Sequence, residues 1–160
     1  VGIDPAGLLS ADVFLPRERD HEYHINHLDG RWIIRSNWKA PNFRLMEATA
    51  GEEGDRANWR ELIAHRDDAF IHGFDVFREF LAVEERSGAM RKIRIRPWSG
   101  GADFFIAADE PTYTITLGQN AAIDTQIARS GLSSLAPPDT VYGYEIQTGA
   151  RPLQAVALGC

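Results

Sequence analysis

This sequence of 160 residues contains one cysteine, no long apolar run and no excess of positive charge. The single cysteine, Cys160, excludes an internal disulfide framework and any zinc site built from cysteines. A chain without disulfides suits a reducing compartment, so we expect a cytoplasmic location. No apolar run approaches the roughly 20 residues that a membrane helix needs. The net charge of −6 disfavours nucleic acid. We therefore expect neither a membrane nor a nucleic acid as a partner.

A starting methionine is missing too. The sequence begins with Val1, and no signal-peptide pattern comes before the first extended run. We therefore expect a segment of a longer chain. Its hydrophobic content of 44% and charged content of 25% lie at the averages of globular proteins, which disfavours disorder.

Helical periodicity is nearly absent. Only residues 55–68, "DRANWRELIAHRDD", would fit a helix, and their place in the repeat favours a loop followed by a strand. The repeat is marked by three glycines that each end an alternating run. Gly51, Gly100 and Gly149 follow one another at intervals of 49 residues.

Each repeat unit contains four short extended runs joined by turn residues. Asp29-Gly30 favours a type I′ hairpin after the first run, because glycine accepts the positive φ that this turn requires. The second run closes on an Arg-Ser pair in every unit: Arg35-Ser36, Arg86-Ser87 and Arg129-Ser130. Later turn signals lie at 40–42, 87–89, 137–139, 100–101 and 148–149.

The apolar runs within the units indicate sheets that are covered on both sides. "WII", "FLAV" and "FFIA" place apolar side chains on both faces of a strand, as happens when neighbouring sheets pack against each face. Four-stranded sheets that recur every ~40–50 residues and stack face to face form a β-propeller. We therefore predict an all-β fold of about three four-stranded antiparallel blades.

Three blades do not close a ring, since propellers have about four to eight blades. We predict one partial β-propeller domain over residues 1–160. An outermost strand of a preceding blade is expected in 1–17, at "VFLPR", followed by blades at 18–67, 68–110 and 111–160. The two end blades then expose faces that a full ring covers, so self-association is expected.

Ser133 is the residue most easily mistaken for a nucleophile. A nucleophile elbow needs Gly-x-Ser-x-Gly, because the tight strand-to-helix turn admits only small residues. Gly131 fits, but Leu135 occupies the second glycine position, and two prolines follow where a helix is needed. Ser133 and Ser134 are interpreted as strand-end residues that lead into a hairpin, and we predict no catalytic residue in this chain.

Three histidines in "HEYHINH" suggest a metal site at first sight: His21, His24 and His27. The zinc-protease pattern is His-Glu-x-x-His, and Ile25 stands where its second histidine is needed. On a strand, His24 faces away from the other two histidines. We therefore predict no metal site and no cofactor.

Lys92, Arg94 and Arg96 share one strand face in "RKIRIRPW", and Ile93 and Ile95 share the other. A nucleic-acid surface would need accessible aromatic residues and a net positive charge. The favoured interpretation is a charged strip that faces either solvent or an interface.

Glu84 and Glu85 precede this strip on the neighbouring strand, where opposite charges across a hairpin contribute roughly 0.2–1 kcal/mol per pair. Together with Asp139 they are also candidates for steering a cationic peptide, although ordinary surface or interface charge is favoured. "SGGAD", residues 99–103, lacks the lysine and the following helix of a phosphate loop and is interpreted as a turn.

Three blocks of the sequence resemble one family of peptidases. They are "FLPRERDHEYHINHLDGRWIIRSNWKAPNFRLMEA", "FLAVEERSGAMRKIRIRPW" and "SGLSSLAPPDTVYGYEIQTG". In composition and order they are similar to the propeller of the oligopeptidase B branch of the prolyl oligopeptidase family of serine peptidases. The resemblance runs from about Val13 to Leu153, and the signatures of WD-repeat and kelch propellers are missing.

The resemblance implies a seven-bladed propeller that covers an α/β-hydrolase domain, with this chain forming its last three blades. It places the catalytic serine, aspartate and histidine in the hydrolase domain, downstream of residue 160, so no catalytic or substrate-binding residue is carried over. The implied reaction is hydrolysis of short basic peptides after Arg or Lys, with the propeller controlling access. The alternative is a stand-alone propeller or sandwich that binds a protein partner without enzymatic activity.

Overall fold

The computed structural model describes residues 2–3, 9–10, 13–107, 114–118, 123–124, 127–133, 140–145 and 156–157. These residues form three four-stranded antiparallel sheets and one two-stranded sheet. The helical structure in this part of the chain is a single 3₁₀ turn, Arg56–Asn58. The predicted all-β fold of four-stranded antiparallel blades is confirmed.

The strands of each sheet pair in chain order, as in a propeller blade. The two-stranded sheet joins β1 (Gly2–Ile3) to β2 (Leu9–Ser10). The first blade contains β3 (Tyr23–Leu28), β4 (Arg31–Ser36), β5 (Arg44–Thr49) and β6 (Arg60–Ile63). The second contains β7 (Ala69–Val76), β8 (Phe80–Ser87), β9 (Met90–Pro97) and β10 (Phe104–Ala107). The third contains β11 (Thr114–Leu117), β12 (Ile127–Ser133), β13 (Thr140–Glu145) and β14 (Val156–Ala157). One blade thus lies within each of the predicted ranges 18–67, 68–110 and 111–160, whose bounds stay predictions.

The prediction of a strand at residues 13–17 is wrong. These residues form an irregular segment, and the strand pairing near the start of the chain is that of β1 with β2. Leu15 is only 5% exposed and packs beside Ile34, Met46 and Trp59 on the face of the first blade. Burial of this apolar side chain, next to a proline that has no N–H to donate, stabilises face packing over strand pairing.

The Arg-Ser pairs mark the end of the second strand in two blades. β4 ends at Ser36 and β8 at Ser87, as expected, but β12 continues past Ser130 to Ser133. Glycine usually weakens a strand, yet Gly131 lies directly across from Thr116. A Cβ at Gly131 would come within 3.2 Å of the Thr116 Oγ1 atom, so a larger residue here would require the Thr116 side chain to shift slightly.

The turn chemistry agrees with the sequence where the structure describes it. Asp29 and Gly30 have φ values of 48° and 78°, as a type I′ hairpin requires. Gly88 also has a positive φ and joins β8 to β9. Residues 55–68 form a loop, the 3₁₀ turn and β6 rather than a long helix. The predicted turns at 137–139 and 148–149 lie outside the described residues.

Two apolar seams hold the blades together, and β8 contributes to both. The first seam is the cluster of Leu28, Ile33, Phe43, Leu45 and Ile63 of the first blade with Ile71, Val76, Leu81 and Val83 of the second. The second seam contains Phe77, Phe80, Ala82, Ile93 and Ile95 of the second blade with Ile115 of the third. Because successive side chains of a strand point to opposite faces, β8 is covered on both sides, as the run "FLAV" predicted.

Candidate functional site

A serine and a histidine come together at the edge of the first blade. The His21 Nε2 atom lies 2.8 Å from the Ser36 Oγ atom, and the Ser36 Oγ atom also accepts a hydrogen bond from the Trp38 N–H at 3.0 Å. On the other side of the ring, Arg56 donates to the His21 Nδ1 atom at 2.9 Å and also binds Glu18. A serine, a histidine and a third group that orients the histidine resemble the arrangement that activates a nucleophile.

The hydrogen bonds of His21 rule out a reactive pair. Because the Arg56 guanidinium can only donate, the His21 Nδ1 atom must accept, and the proton of the neutral ring therefore lies on Nε2. Nε2–H then donates to the Ser36 hydroxyl and cannot take its proton. Burial lowers the pKa of His21, and the Arg56 charge lowers it further against the opposing effect of Glu18. Ser36 is fully buried, so the pair is a structural link.

Ser133 is placed where its strand-end interpretation requires. It is the last residue of β12 and pairs with Thr114 of β11, so it lies in a sheet rather than in the strand-to-helix turn of a nucleophile elbow. Ser134 and Leu135 lie outside the described residues.

The three histidines of "HEYHINH" have different partners. His21 binds Ser36, the His24 Nδ1 atom lies 3.4 Å from an Arg35 nitrogen, and the His27 ring packs on Trp32 with centroids 4.8 Å apart. Within the described residues no three potential ligand side chains gather around one point. The absence of a metal and of a cofactor remains an expectation.

An open cavity of about 620 Å³ lies beside Trp38 on the first blade. Its wall consists of Leu15, Pro16, Arg17, Glu18, Trp38, Gly54, Asp55, Arg56 and Ala57. Arg56 and Glu18 are already paired with each other. As the structure describes this cavity, no hydroxyl, thiol or imidazole side chain lines it, and its two carboxylates have partners already: Glu18 pairs with Arg56, and Asp55 accepts from the Ala57 N–H.

The charged strip of β9 faces the first blade. The Arg94 Nη2 atom lies 2.9 Å from a Glu85 carboxylate oxygen, and Arg96 donates to the backbone carbonyl of Leu62 in β6. The Lys92 ammonium lies 4.9 Å from the centre of the Phe105 ring within its own blade. The strip is therefore interface-facing, and the expected pairing of charges across the β8–β9 hairpin is observed.

Glu84 and Glu85 point to opposite seams. The Glu85 side chain is 1% exposed and faces the first seam, where Arg94 and Arg66 are its cationic neighbours. Glu84 faces the second seam and accepts hydrogen bonds from Arg91 at 2.8 Å and from the Leu117 N–H of the third blade at 3.1 Å. Buried carboxylates cannot steer a peptide in solution, so that interpretation is wrong for both residues. Asp139, the third candidate, lies outside the described residues.

Arg35 crosses the first seam. It is 6% exposed, and its Nε–H donates to the backbone carbonyl of Ile71 in β7 at 2.8 Å. Its guanidinium lies 3.5 Å from the centre of the Phe43 ring, a cation–π contact. Burial lowers the pKa of Arg35, and Glu22 partly opposes this effect.

His72 lies at an irregular step of β7 next to that contact. The register of β7 with β8 shifts between Ile71 and Gly73, which is a β-bulge at His72. Its Nε2 atom is buried without a hydrogen-bond partner. Burial lowers the pKa of His72, Arg91 lowers it further, and Glu84 acts in the opposite direction. The lowered pKa therefore favours the neutral imidazole on β7, the edge strand of the second blade.

The polar groups that join one blade to the next were not predicted from the sequence. Arg35 was noted only as a repeat landmark, and the crossing contact of Trp98 with Arg31, 4.1 Å from ring centre to guanidinium, was not anticipated. The available signal was a charged residue directly after an apolar run that fills both faces of a strand, as in "WIIRS" and "FLAVEE". Such a charge has no solvated face and must find a partner in a neighbouring sheet.

Successive four-stranded sheets joined face to face define this chain as part of a β-propeller. Residues 9–156 match the family model described as the prolyl oligopeptidase N-terminal β-propeller domain. The chain therefore belongs to the prolyl oligopeptidase family, which confirms the resemblance seen in the sequence. No helix among the described residues is long and apolar enough to span a membrane.

Relatives in sequence and structure are peptidases much longer than this chain. Dipeptidyl aminopeptidase BI of Pseudoxanthomonas mexicana is 38% identical over 140 residues, which are 87% of this chain and 19% of that protein. Protease 2 of Moraxella lacunata is 24% identical over 135 residues, 84% of this chain and 19% of that protein. Oligopeptidase B from Leishmania major superposes with a TM-score of 0.75 at 25% identity, covering 88% of this chain and 21% of that one. The chain thus spans about a fifth of the length of these relatives.

Proposed function

We propose that this chain is a non-catalytic access segment of a serine oligopeptidase that hydrolyses short peptides after Arg or Lys. In this proposal the reacting serine, histidine and aspartate belong to an α/β-hydrolase domain elsewhere in the parent chain. The observation that carries the proposal is the match of residues 9–156 to the family's N-terminal propeller domain, in a chain that covers 19% of a related peptidase. The described serine–histidine pair agrees with it, because the Arg56 contact to the His21 Nδ1 atom favours a ring that donates to Ser36 instead of taking its proton. The family relationship supplies the peptidase chemistry.

The seams give the segment the properties of a wall. Two hydrogen bonds cross from one sheet to the next where water is largely excluded: those of Arg35 and Glu84. The buried ion pair of Glu85 lies beside the same packed surfaces. A wall of this kind admits a short flexible peptide only through an opening and excludes a folded protein by size. The segment's own residues then provide exclusion of water and large substrates rather than bond making.

The test uses the full-length parent protein. We expect it to hydrolyse chromogenic peptides with Arg or Lys before the cleaved bond and to leave matched peptides with Gln at that position intact. A loosened first seam, made by Leu81→Ala, should raise cleavage of a long unfolded polypeptide relative to a short peptide. Arg60→Gln is the matched control, because Arg60 pairs with Glu47 inside one blade. Unchanged size preference in the Leu81 variant would contradict the access role.

A second activity is favoured by the relative that is 38% identical, whose name describes a dipeptidyl aminopeptidase. Removal of dipeptides requires a free substrate amino group, whereas cleavage after Arg or Lys inside a peptide does not. Paired substrates with a free or an acetylated amino terminus separate the two activities. Equal turnover of both substrates favours the endopeptidase proposal, and loss of turnover on acetylation favours the dipeptidyl activity.

We also propose a cytoplasmic location for the parent protein, which the single cysteine supports. Fractionation of cells that express the tagged full-length protein tests this location. Recovery in a secreted or membrane fraction would contradict it.

A further inference from the structure

The turns that join the first two strands of each blade meet at one end of the stack. In the first blade this turn is Asp29-Gly30, in the second it follows Val76, and in the third it contains Ile123 and Asp124. We call this end the hairpin end. One side chain, Arg78, reaches the turns of both neighbouring blades.

Arg78 forms three contacts across the seams. Its Nε–H binds the Asp124 carboxylate of the third blade, and its Nη1 atom lies 3.4 Å from both carboxylate oxygens of Asp29 in the first blade. The backbone N–H of Arg78 donates to the Ile123 carbonyl at 2.9 Å. A single guanidinium therefore joins turns from three successive blades.

The turn that carries Arg78 is held rigidly by its own blade. The Phe77 N–H donates to the Phe80 carbonyl, and the two rings stack with centroids 4.3 Å apart. Trp98 donates its indole N–H to the Phe77 carbonyl and its backbone N–H to the Glu79 carbonyl. These contacts fix the backbone position from which the Arg78 side chain reaches the two neighbouring turns.

The charges of this cluster are exposed, in contrast to those deeper in the seams. The side chains of Arg78, Asp29 and Asp124 are 50%, 61% and 69% exposed, whereas Glu85 is 1% exposed. Exposed ion pairs are weak and are screened by salt, while buried ones are screened much less. The ion pairs of Arg78 are therefore the inter-blade contacts that mild changes in solution release first, before the ring contact of Arg31 with Trp98 at the same end.

We propose that Arg78 is an electrostatic clasp whose release lets neighbouring blades separate at the hairpin end while the opposite end stays closed. At the opposite end the Ile71 N–H donates to the Asn42 carbonyl, and Arg35 binds the Ile71 carbonyl from a buried position. These contacts act as the hinge. The consequence for substrate access rests on the proposed function, but the clasp itself is independent of it.

The clasp is tested in the full-length parent protein by hydrogen–deuterium exchange mass spectrometry, which needs no enzymatic activity. Arg78→Gln should accelerate exchange of the Arg78-position amide by about two- to tenfold at low salt, the range expected for losing two exposed ion pairs. The Ile71 amide at the hinge should be unchanged. High salt should accelerate the wild type toward the variant and leave the variant nearly unaffected.

Two further variants keep the test decisive. Asp124→Asn removes one partner without altering Arg78 and should give a smaller acceleration of the same amide. Arg60→Gln removes an exposed cation whose partner lies in the same blade and should change neither amide. Equal exchange in Arg78→Gln and the wild type, or equal acceleration of the hinge amide, would overturn the clasp. If exchange behaves as expected but size preference in peptide cleavage does not change, the clasp stands and the access role fails.

Discussion

Arg94 and Glu85 form an ion pair that is almost completely shielded from water, with side chains 13% and 1% exposed. The Glu85 Oε1 atom has no hydrogen-bond partner and lies 4.0 Å from Arg66. Paired buried charges offset the cost of leaving water only while both partners remain. Removing one partner should therefore lower stability by more than the attraction between the two charges contributes, because the other charge is left buried without a partner.

Arg94→Met should destabilise the protein by about 3 kcal/mol, because it leaves a carboxylate buried beside an apolar seam. Glu85→Met combined with Arg94→Met should be more stable than Arg94→Met alone, since the fully buried Glu85 carboxylate is then gone. Asp103 also loses Arg94 in both variants, but it is partly exposed and keeps Arg96 at 3.9 Å. Urea denaturation of the three proteins measures both differences. If the double variant were the least stable, the attraction between the charges would be the dominant effect instead.

His72 makes stability depend on pH. Burial and Arg91 lower the pKa of His72 in the folded state, against Glu84, so the folded protein binds a proton less readily than the unfolded chain. Its contribution is fully present above the unfolded value of about 6.5 and is lost as pH falls from there through the lowered folded pKa. Arg35 and Arg86 also lower this pKa and act in the same direction.

His72→Gln should therefore flatten part of the decline in stability between neutral and mildly acidic pH. His21, whose pKa is also lowered, keeps a share of that decline in the variant. Denaturation midpoints measured across this pH range give the comparison, with His27→Gln on the exposed side of β3 as control. An unchanged pH profile in the His72 variant would show that its imidazole is not the titrating group.

At the scale of single elements, β8 is the strand on which both seams depend. Leu81 and Val83 pack toward the first blade, and Phe80 and Ala82 toward the third. Leu81→Ala should destabilise the protein by about 2–5 kcal/mol, since the cavity lies where rigid sheets meet. Ile25→Ala on β3, where the side chain is exposed, should change stability far less. Thermal or urea unfolding compares the two variants.

The β3–β4 turn offers a matched test of backbone conformation. Gly30 has a φ of 78°, so Gly30→Ala forces a left-handed backbone on a residue with a side chain and should cost roughly 1–2 kcal/mol. Gly73→Ala is the control, because no atom lies within 4 Å of a Cβ there and its φ is not positive. Equal urea midpoints for the two variants would contradict a type I′ turn.

Strands and turns were predictable because their signals are local. Asp29-Gly30, Ser87-Gly88 and the alternating runs specify hairpins within a few residues. The segment at 13–17 was not predictable, because "VFLPR" reads equally as a strand and as an apolar patch, and contact with Trp59 and Met46 decides between them. The role of Arg35 was hidden for the same reason, since Ile71 lies 36 residues away in sequence.

At the scale of the whole molecule, the predicted self-association remains to be measured. Phe14 and Leu15 pack on the face of the first blade away from the second blade. Leu15→Ser should uncover part of that apolar face and so increase self-association. In light scattering of the 160-residue chain, the mass of the variant should rise more steeply with concentration than the mass of the unsubstituted chain. A concentration-independent monomer in both proteins would contradict the prediction.

The alternation along β8 has a practical use. An isotope label in the side chain at position 81 or 83, which leaves the packing unchanged, senses the sheet on one side, and one at 80 or 82 senses the sheet on the other. One strand therefore supplies two separate gauges of inter-sheet distance. With them, the order in which neighbouring sheets part can be timed within a single molecule.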